Sequence, residues 1–476
     1  MNHHLQFFRF FRNVSASQQR TVCFEKTARR TADFNISARR RAGYGKAGRR
    51  ALSLREAAGR VALVLALLPL TACHESDQAI ARRVFQLAGQ QFALLDAATD
   101  SVSAPRFYHS EKGYRTSDIG WWCSGFFPGS LWLTYEYTGQ EAFLEMAGRN
   151  TRKLDGLCDR HTDHDIGFQT WCSYGNAWRI TGDSCWLENI QKGAGKLVAR
   201  YSPVTGTTRS WDFSRGWQWP VIIDNMMNLE LLMQAQRLFA QADGDFQSQA
   251  GNGSQSQAGN DIPGETAYSY REVAINHART TLAHHFRPDG SCFHLVDYDS
   301  HDGHVRRRQT VQGLSDSSSW ARGQAWALYG FTMMYRESGE EAFLEQACQT
   351  ARFLLDRLPA DGIPYWDFDA PAAGEHSGDH PEVLRDASAG AIMASAFAEL
   401  GGLTADRRLG RACRRMAQKQ VRTLASPQYL ALPGENGGFL LRHCVGNLPE
   451  HSEIDVALSY ADYYFLEAIL RLQPVN

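Results

Sequence analysis

The ten cysteines of this 476-residue chain include no CxxC pair, and their spacings give no disulfide framework. We expect mostly buried free thiols, with one or two bridges left open. Long apolar runs are also scarce. The run at 61–72 has about a dozen residues, which is too short for a membrane-spanning helix.

Most of the chain lacks a net positive charge. Residues 1–72 carry 14 Lys and Arg against 3 Asp and Glu, a net +11, whereas residues 73–476 carry 36 against 48, a net −12. An acidic body argues against nucleic-acid binding. An anionic ligand must therefore be held by a few placed Arg, His or Tyr side chains.

The N-terminal segment has the pattern of an export signal. Arginines precede the apolar run 61–72, and the run ends in the small residues Thr71 and Ala72. The stretch Leu70–Cys73 resembles the lipobox of bacterial lipoproteins, which implies cleavage before Cys73, lipidation of this cysteine and a lipid anchor in the membrane. An ordinary signal peptide is the alternative. We expect 1–72 to be an extension plus signal peptide, and the mature protein to lie in the bacterial periplasm or on the outer membrane.

A short motif recurs between apolar periodic segments: TGQEAFL at 138–144, TGDSCWL at 181–187 and SGEEAFL at 338–344. Gly ends one helix, and the polar residues begin the next. Repeated helical hairpins predict an all-α domain over 73–476, arranged as a closed ring because no polar capping repeats stand at the ends. A Gly/Ser/Gln/Asn tract at 243–264 is expected to be a flexible insertion.

Asp224 stands at the end of the apolar run Val221–Ile223, just before a helical pattern. A carboxyl group in apolar surroundings is harder to ionise, so its pKa rises, and a raised pKa suits a general acid near neutral pH. The alternative is that Asp224 only caps the helix.

A second acidic cluster, His161–Asp165, has four ionisable side chains in five residues. It suggests either catalysis or metal binding. A metal site needs further ligands, and no other His/Asp cluster has a matching spacing. We therefore expect no metal here and no cofactor.

Aromatic residues lie among polar ones in several segments, and a saccharide cleft is built in this way. On a helix, Arg322 and Trp326 share a face, and an Arg beside a flat ring can hold an acidic sugar. An Arg–Trp pair that only packs is the alternative.

Taken in order, five stretches resemble the unsaturated glucuronyl hydrolases, family 88 of the glycoside hydrolases: WCSGFFPGSLW at 122–132, HDIGF at 164–168, WPVIIDNMMNL at 219–229, QGLSDSSSWARGQAW at 312–326 and DYYFLEAILR at 462–471. The resemblance implies an (α/α)6 barrel and a metal-free hydrolase. Its substrate would be an unsaturated uronic-acid oligosaccharide, the product of a polysaccharide lyase. In this family a carboxylic acid protonates C4 of the substrate's vinyl ether, and water adds at C5.

The same resemblance implies a role for individual residues. Asp224 matches the general acid/base and Asp165 the second essential aspartate. The residues that match contacts to the sugar are Trp122, Trp211, His294, Gln312, Trp320, Arg322 and Trp326. No Arg-Ser-x-x-Ser-x-Lys run of the kind that binds sulfate in some relatives is present, so tolerance of sulfate stays open.

Other functions remain as alternatives. An unsaturated rhamnogalacturonyl hydrolase has the same barrel and chemistry but acts on pectin fragments. A lipid-anchored sugar-binding protein without activity would not need both aspartates. A polysaccharide lyase would create unsaturated ends rather than consume them. The oligomeric state is not indicated.

Overall fold

The computed structural model describes residues 75–160, 162–249, 268–375 and 382–473, which belong to one compact unit, Glu75–Gln473. Its α-helices are α1 Asp77–Ala97, α2 Phe126–Thr138, α3 Glu141–Arg152, α4 Ile166–Thr170, α5 Asn176–Thr181, α6 Leu187–Val198, α7 Asn225–Gln249, α8 Tyr270–His284, α9 Ala321–Ser338, α10 Glu341–Arg357, α11 Ala370–Ala373, α12 Ala387–Leu403, α13 Arg407–Leu424 and α14 Ser459–Leu472. One π-helical turn, Trp171–Gly175, joins α4 to α5. The predicted signal peptide and Cys73 lie outside the described residues.

Six helical segments form a closed inner ring, in the order α2, α4–α5, α7, α9, α12 and α14. Each packs against the next, and α14 packs against α2. The outer helices α3, α6, α8, α10, α13 and α1 lie against them. This arrangement confirms the predicted (α/α)6 barrel.

The two rings differ in how their sequences distribute apolar residues. Every residue from Ala387 to Ala398 of inner helix α12 is buried. Outer helix α13 buries Leu409, Cys413, Ala417, Val421 and Leu424, which recur every three or four residues along one face. A helix that is apolar all round belongs in a core, and an amphipathic helix belongs on its surface.

The recurring glycine motif marks hairpin turns, as predicted. Gly139, Gly182 and Gly339 end α2, α5 and α9 with φ of 64°, 67° and 75°. This left-handed conformation is favourable for glycine because it has no Cβ.

Short strands lie in the connections between the helices. They are β1 Ser103–His109, β2 Gly113–Asp118, β3 Tyr201–Ser202, β4 Thr207–Thr208, β5 Trp219–Ile222, β6 Leu295–Tyr298, β7 Val305–Gln309 and β8 Ala457–Leu458. The antiparallel sheet β5–β6–β7 pairs Trp219 with Tyr298 and Ile222 with Leu295. The apolar run before Asp224 is therefore largely a buried strand, a feature that the sequence analysis did not identify.

The remaining organisational predictions are only partly covered by the described residues. Helix α7 extends to Gln249, and 250–267 lie outside them, so the flexible insertion at 243–264 stays a prediction. Eight cysteines are described as free thiols, and of these only Cys185 is exposed, in agreement with the expectation. No helix of the described ranges is long and apolar enough to cross a membrane.

Candidate active site

The candidate site lies at the N-terminal ends of the inner helices. Asp165 directly precedes α4, and Asp224 directly precedes α7. Arg322 lies in the first turn of α9, Asp386 is the N-cap of α12, and Tyr460 lies in the first turn of α14. The barrel therefore brings together side chains that are up to 295 positions apart in the sequence.

Asp224 is held by the β5–β6–β7 sheet and by α7. The backbone N–H of Ile223 donates to the His294 carbonyl over 2.9 Å, and the Met227 N–H donates to the Asp224 carbonyl over 2.9 Å. The Asp224 side chain is 13 % exposed, and its Oδ2 is buried without a hydrogen-bond partner among the described residues. This oxygen does not cap the helix and stays available to a ligand.

Burial raises the pKa of the Asp224 carboxyl to about 7. The positive charge of Arg322 and the indole N–H of Trp326, which faces the carboxylate, act in the opposite direction. A substantial fraction of Asp224 is consequently protonated at neutral pH, as a general acid requires.

His294 contacts the same carboxylate. Its Nδ1 accepts a hydrogen bond from the Val311 N–H over 3.0 Å, so the ring proton is on Nε2. Nε2 lies 3.9 Å from Asp224 Oδ2. Because burial and the nearby Arg322 lower the pKa of His294 to about 3, the ring is neutral and presents an N–H donor to the site.

Asp165 is the second buried acid. Its backbone N–H donates to Asp163 Oδ1 over 2.9 Å, and its side chain is 12 % exposed. Burial first, and then the charges of Asp163 and Asp224, raise the pKa of Asp165 well above its usual range. The two predicted catalytic acids are therefore close enough for the charge of Asp224 to act on Asp165.

Arg322 is 2 % exposed and already has protein partners. Its Nη1 donates to the Val445 carbonyl and its Nη2 to the Gly446 carbonyl. Asp386 Oδ2 lies 3.4 Å from Nη1. The predicted fork of hydrogen bonds is present, but its acceptors are backbone carbonyls.

Gln312 binds the same loop, since its Nε2 donates to the Gly446 carbonyl over 3.2 Å. Gly446 belongs to a hairpin, residues 444–456, in which Cys444 pairs with Val456 and Asn447 with Ser452. This hairpin therefore packs against the part of the site that contains Arg322 and Gln312.

The four predicted tryptophans take two kinds of position. Trp122 and Trp211 are partly buried, and the Trp211 ring lies 6.2 Å from the His164 ring. Trp320 and Trp326 are 3 % and 0 % exposed. The Trp320 ring packs 4.6 Å from the His294 ring, while the Trp326 ring packs against Phe168 and Tyr464. The sugar contacts proposed for these four residues stay predictions.

Four unpartnered polar atoms on neighbouring segments characterise the site. Asp224 Oδ2, His294 Nε2, His164 Nε2 and Trp326 Nε1 are all buried without a hydrogen-bond partner among the described residues. Buried polar atoms are rarely left unpaired unless they serve a ligand or a reaction. The set offers one acid and the N–H groups of two histidines to a polar ligand, while the Trp326 N–H faces Asp224.

Two residues that the structure places here had no assigned role in the sequence analysis. His164 Nε2 lies 3.5 Å from Asp165 Oδ2, and Asn228 lies one helical turn after Asp224. The i, i+4 spacing of Asp224 and Asn228 on a predicted helix was a usable signal for Asn228.

The metal hypothesis for the cluster at 161–165 gains no further ligands from the fold. His161 lies outside the described residues. In the described ranges, the one group with metal-ligand geometry is Asp299, Asp302 and His304, whose ligand atoms lie within 4.8 Å of one another. It belongs to the loop between β6 and β7, and Asp302 and His304 are exposed.

No family model matches the chain. Among curated proteins, it is 40 % identical to an unsaturated glucuronyl hydrolase of Formosa agariphila over 356 residues, covering 74 % of this chain and 80 % of that protein. It is 33 % identical to an unsaturated glucuronyl hydrolase of Bacillus sp. GL1 over 382 residues, covering 77 % and 91 %. An unsaturated chondroitin disaccharide hydrolase of Streptococcus pneumoniae is 29 % identical, with 85 % and 93 % covered.

Solved structures that are similar to this chain carry the same family name. A crystal structure of an unsaturated glucuronyl hydrolase specific for heparin matches with a TM-score of 0.73 and 38 % identity, covering 83 % of this chain and 97 % of the other. A Streptococcus agalactiae unsaturated glucuronyl hydrolase mutant complexed with dGlcA-GalNAc6S matches with a TM-score of 0.65 and 26 % identity, covering 83 % and 92 %.

Proposed function

This chain belongs to the unsaturated glucuronyl hydrolases, and from that premise we propose that it removes the 4,5-unsaturated uronic acid from the non-reducing end of glycosaminoglycan fragments produced by lyases. The observation that carries the proposal is Asp224, a buried acid with a pKa of about 7, among N–H donors that have no protein partner. Those donors suit the hydroxyl and carboxylate oxygens of an acidic sugar.

The reaction that we propose begins with a proton transfer from Asp224 to C4 of the C4=C5 double bond. Positive charge develops at C5 and the ring oxygen, and water adds at C5. The Asp224 carboxylate takes a proton from this water and regains its initial state. The resulting hemiketal opens and releases the second sugar, so that the overall change is the addition of one water molecule. No metal or cofactor is part of this scheme.

The surrounding residues support this proton transfer in different ways. Arg322 offers the charge that favours the anionic sugar and keeps the pKa of Asp224 from rising further. His294 is neutral and can donate from Nε2 without taking the proton of Asp224. We assign Asp165 to the substrate hydroxyls and to the protonation state of Asp224, because the charge of Asp224 acts on the pKa of Asp165.

Turnover is tested by mixing the purified protein with unsaturated disaccharides and following the near-ultraviolet absorbance of the double bond. We expect loss of absorbance with chondroitin or heparin disaccharides, unchanged by a chelator. Loss only with pectin-lyase products would instead favour a rhamnogalacturonyl hydrolase. Binding without any loss would favour a sugar-binding protein, and a gain of absorbance from polysaccharide would favour a lyase.

We further propose that the mature protein begins at a lipidated Cys73 and is anchored in a bacterial membrane, facing the periplasm or on the outer membrane. The lipobox-like stretch Leu70–Cys73 supports this location. Cys73→Ala should move the protein from the membrane fraction to the soluble fraction of the native host. A wild-type protein that fractionates as soluble and begins at another residue would contradict the anchor.

A further inference from the structure

Asn228 lies one helical turn after Asp224 on α7 and is 1 % exposed. Its Oδ1 accepts a hydrogen bond from the Phe168 N–H over 2.7 Å. Because a backbone N–H can only donate, the oxygen of the amide must face Phe168, and the nitrogen must face the other way. Nδ2 then lies 3.1 Å from His164 Nδ1.

The orientation of this amide determines the tautomer of His164. An amide nitrogen donates, so His164 Nδ1 must accept and its ring proton must be on Nε2. Nε2 lies 3.5 Å from Asp165 Oδ2. The His164 side chain is 1 % exposed, and burial holds its pKa well below the usual range, so the neutral form persists.

Packing leaves the Asn228 amide little freedom. A Cβ at Gly167 would lie 2.4 Å from Asn228 Cβ, so the helix α4 backbone rests directly on this side chain. On its other side, the His164 ring meets the edge of the Trp211 ring at 6.2 Å. Both the Asn228 amide and the His164 ring therefore have packing partners.

We propose that Asn228 is a positioning residue that keeps His164 in the Nε2–H tautomer, so that an N–H donor always faces Asp165. Each of the two acids then faces the Nε2–H group of a neutral histidine. For Asp224 this histidine is His294, whose tautomer is imposed by the backbone N–H of Val311. A backbone donor cannot be removed by substitution, but the Asn228 amide can, which makes this half of the arrangement accessible to experiment.

The charged and titratable groups around this chain set the context for its pH dependence. The charges of Asp163, Asp224 and Arg200 act on Asp165, and a hydrogen bond from the Asn228 side chain also acts on it directly. Arg200, His277 and His294 act on His164. Burial holds the pKa of His277 and of His294 at about 3, so neither ring gains a proton over the usual assay range.

The first test reads the tautomer directly. In protein labelled with ¹⁵N-histidine, the shifts of the two ring nitrogens distinguish Nε2–H from Nδ1–H, and His164→Gln identifies the signal. We expect Nε2–H for His164 in the wild type and a change to Nδ1–H or to the charged ring in Asn228→Asp, whose carboxylate can only accept. An Nδ1–H wild type, or an unchanged ring in Asn228→Asp, would overturn the proposal. This measurement does not depend on the proposed function.

The second test concerns the reaction and rests on the proposed function. Asn228→Asp should lower kcat/KM by roughly ten- to a hundred-fold, the scale of one hydrogen bond to a charged group, and should shift the pH profile. His164→Gln keeps a donor near the position of Nε2 but has no tautomer. In that background, Asn228→Asp should cost less than about three-fold, because no tautomer remains to be changed.

The two backgrounds separate the tautomer from the added charge. A full loss in both would assign the effect to repulsion between residue 228 and Asp165 and would overturn the proposal. Asn276→Asp is the matched control, since Asn276 donates to the Tyr201 hydroxyl over 3.1 Å on outer helix α8 and is remote from both acids in sequence. If the wild type itself lacks hydrolase activity, the proposed function fails while the tautomer result stands.

Discussion

At the scale of single residues, the site depends on how burial shifts the pKa values of its acids and histidines. Asp224 and Asp165 have raised pKa values, whereas His164 and His294 have lowered ones. Burial disfavours every charged form, so it favours the protonated form of the two acids and the neutral form of the two histidines. The site therefore offers proton donors to a substrate that needs protonation at carbon.

Asp224→Asn should abolish most turnover and leave the fold intact. Loss of a positioned acid typically lowers the rate about 10²- to 10⁴-fold. The measurement is kcat on an unsaturated disaccharide, with circular dichroism as the check on folding. Near-wild-type activity of a folded variant would refute the assignment of Asp224. For the wild type, kcat/KM should fall as the pH rises through about 7, where Asp224 loses its proton.

The same substitution should change stability with a defined pH dependence. Asp224 is charged in the unfolded chain above about pH 4 but keeps its proton in the folded chain up to about pH 7. Burial of this carboxyl group therefore lowers the free energy of unfolding by an amount that grows as the pH rises from 4 to 7. At pH 8 the free energy of unfolding of Asp224→Asn should exceed that of the wild type by roughly 4 kcal/mol, and at pH 4 the two should be close.

Arg322→Lys should not behave as a conservative change. A lysine keeps the charge but cannot reach the Val445 and Gly446 carbonyls together. We expect a loss of kcat/KM on the order of ten- to a hundred-fold, since one hydrogen bond from a charged group contributes roughly 1.5–3 kcal/mol. Arg357→Lys, which alters a more exposed arginine of α10, is the matched control. Equal, small effects of both changes would mean that Arg322 has no special role.

At the scale of elements, the hairpin 444–456 carries backbone conformations that side chains rarely adopt. His451, Glu453 and Asp455 have φ of 52°, 57° and 51°, and His443, just before the hairpin, has 62°. Such residues persist only where surrounding contacts require them, and they concentrate at functional sites. Here the hairpin presents the carbonyls that Arg322 and Gln312 bind.

Gly446→Ala should displace this hairpin. An added Cβ would lie 2.3 Å from Glu453 Oε2 and 2.5 Å from Glu453 Cβ, so the two sides of the hairpin must separate. Because the Gly446 carbonyl holds Arg322 and Gln312, we expect activity to fall about ten-fold or more.

Gly195→Ala is the control for this change. It lies in helix α6 with nothing within 4 Å of the added Cβ, and the substitution should stabilise the protein by about 0.5–1 kcal/mol at unchanged activity. Melting temperature and kcat/KM are measured for both variants. Full activity of Gly446→Ala would show that the site does not depend on the position of this hairpin.

At the scale of the whole molecule, the inner ring encloses polar side chains near both ends of its helices. The two candidate catalytic acids, Asp165 and Asp224, lie at the N-terminal ends of the inner helices α4 and α7. Toward the C-terminal ends, Arg336 of α9 donates to Glu230 of α7, to Glu337 over 2.8 Å and to Glu399 of α12 over 2.6 Å. Arg471 of α14 lies 3.0 Å from Glu399 and extends this ion-pair network to a fourth inner helix.

Arg336→Met should destabilise the barrel without altering the site. Removing one partner of a buried ion pair leaves unpaired charges and typically costs about 3–5 kcal/mol. Burial already raises the pKa of Glu230 to about 7, against the effect of Arg336, so without Arg336 this acid should hold its proton to higher pH. The loss of stability should therefore be larger at pH 8 than at pH 5.

The measurement is thermal unfolding at both pH values, with kcat/KM below the melting transition expected to be unchanged. Arg352→Met removes an exposed pair with Asp406 and serves as the control, with an expected effect of about 1 kcal/mol or less. An equal loss of stability at both pH values would indicate that packing of the Arg336 stem, and not charge, holds the helices together.

The sequence alone determined the architecture and the chemical class of this protein. The Gly-centred turns and the periodic apolar segments are local patterns, and they specify helical hairpins without knowledge of distant contacts. The apolar surroundings of Asp224 were also local, and they predicted the raised pKa that burial produces. The short strand before Asp224 was not identified, because four residues that pair with a segment over seventy positions away carry little local signal.

Only the tertiary structure decided how the site is connected. Arg322 binds Gly446, 124 positions away, and Asn228 binds His164, 64 positions away. Sequence spacing indicates which residues share a helix face, but not which carbonyl or imidazole another helix brings to that face. The tautomers of His164 and His294 depend on such donors, because a neutral imidazole takes its proton on the nitrogen that its neighbours leave free.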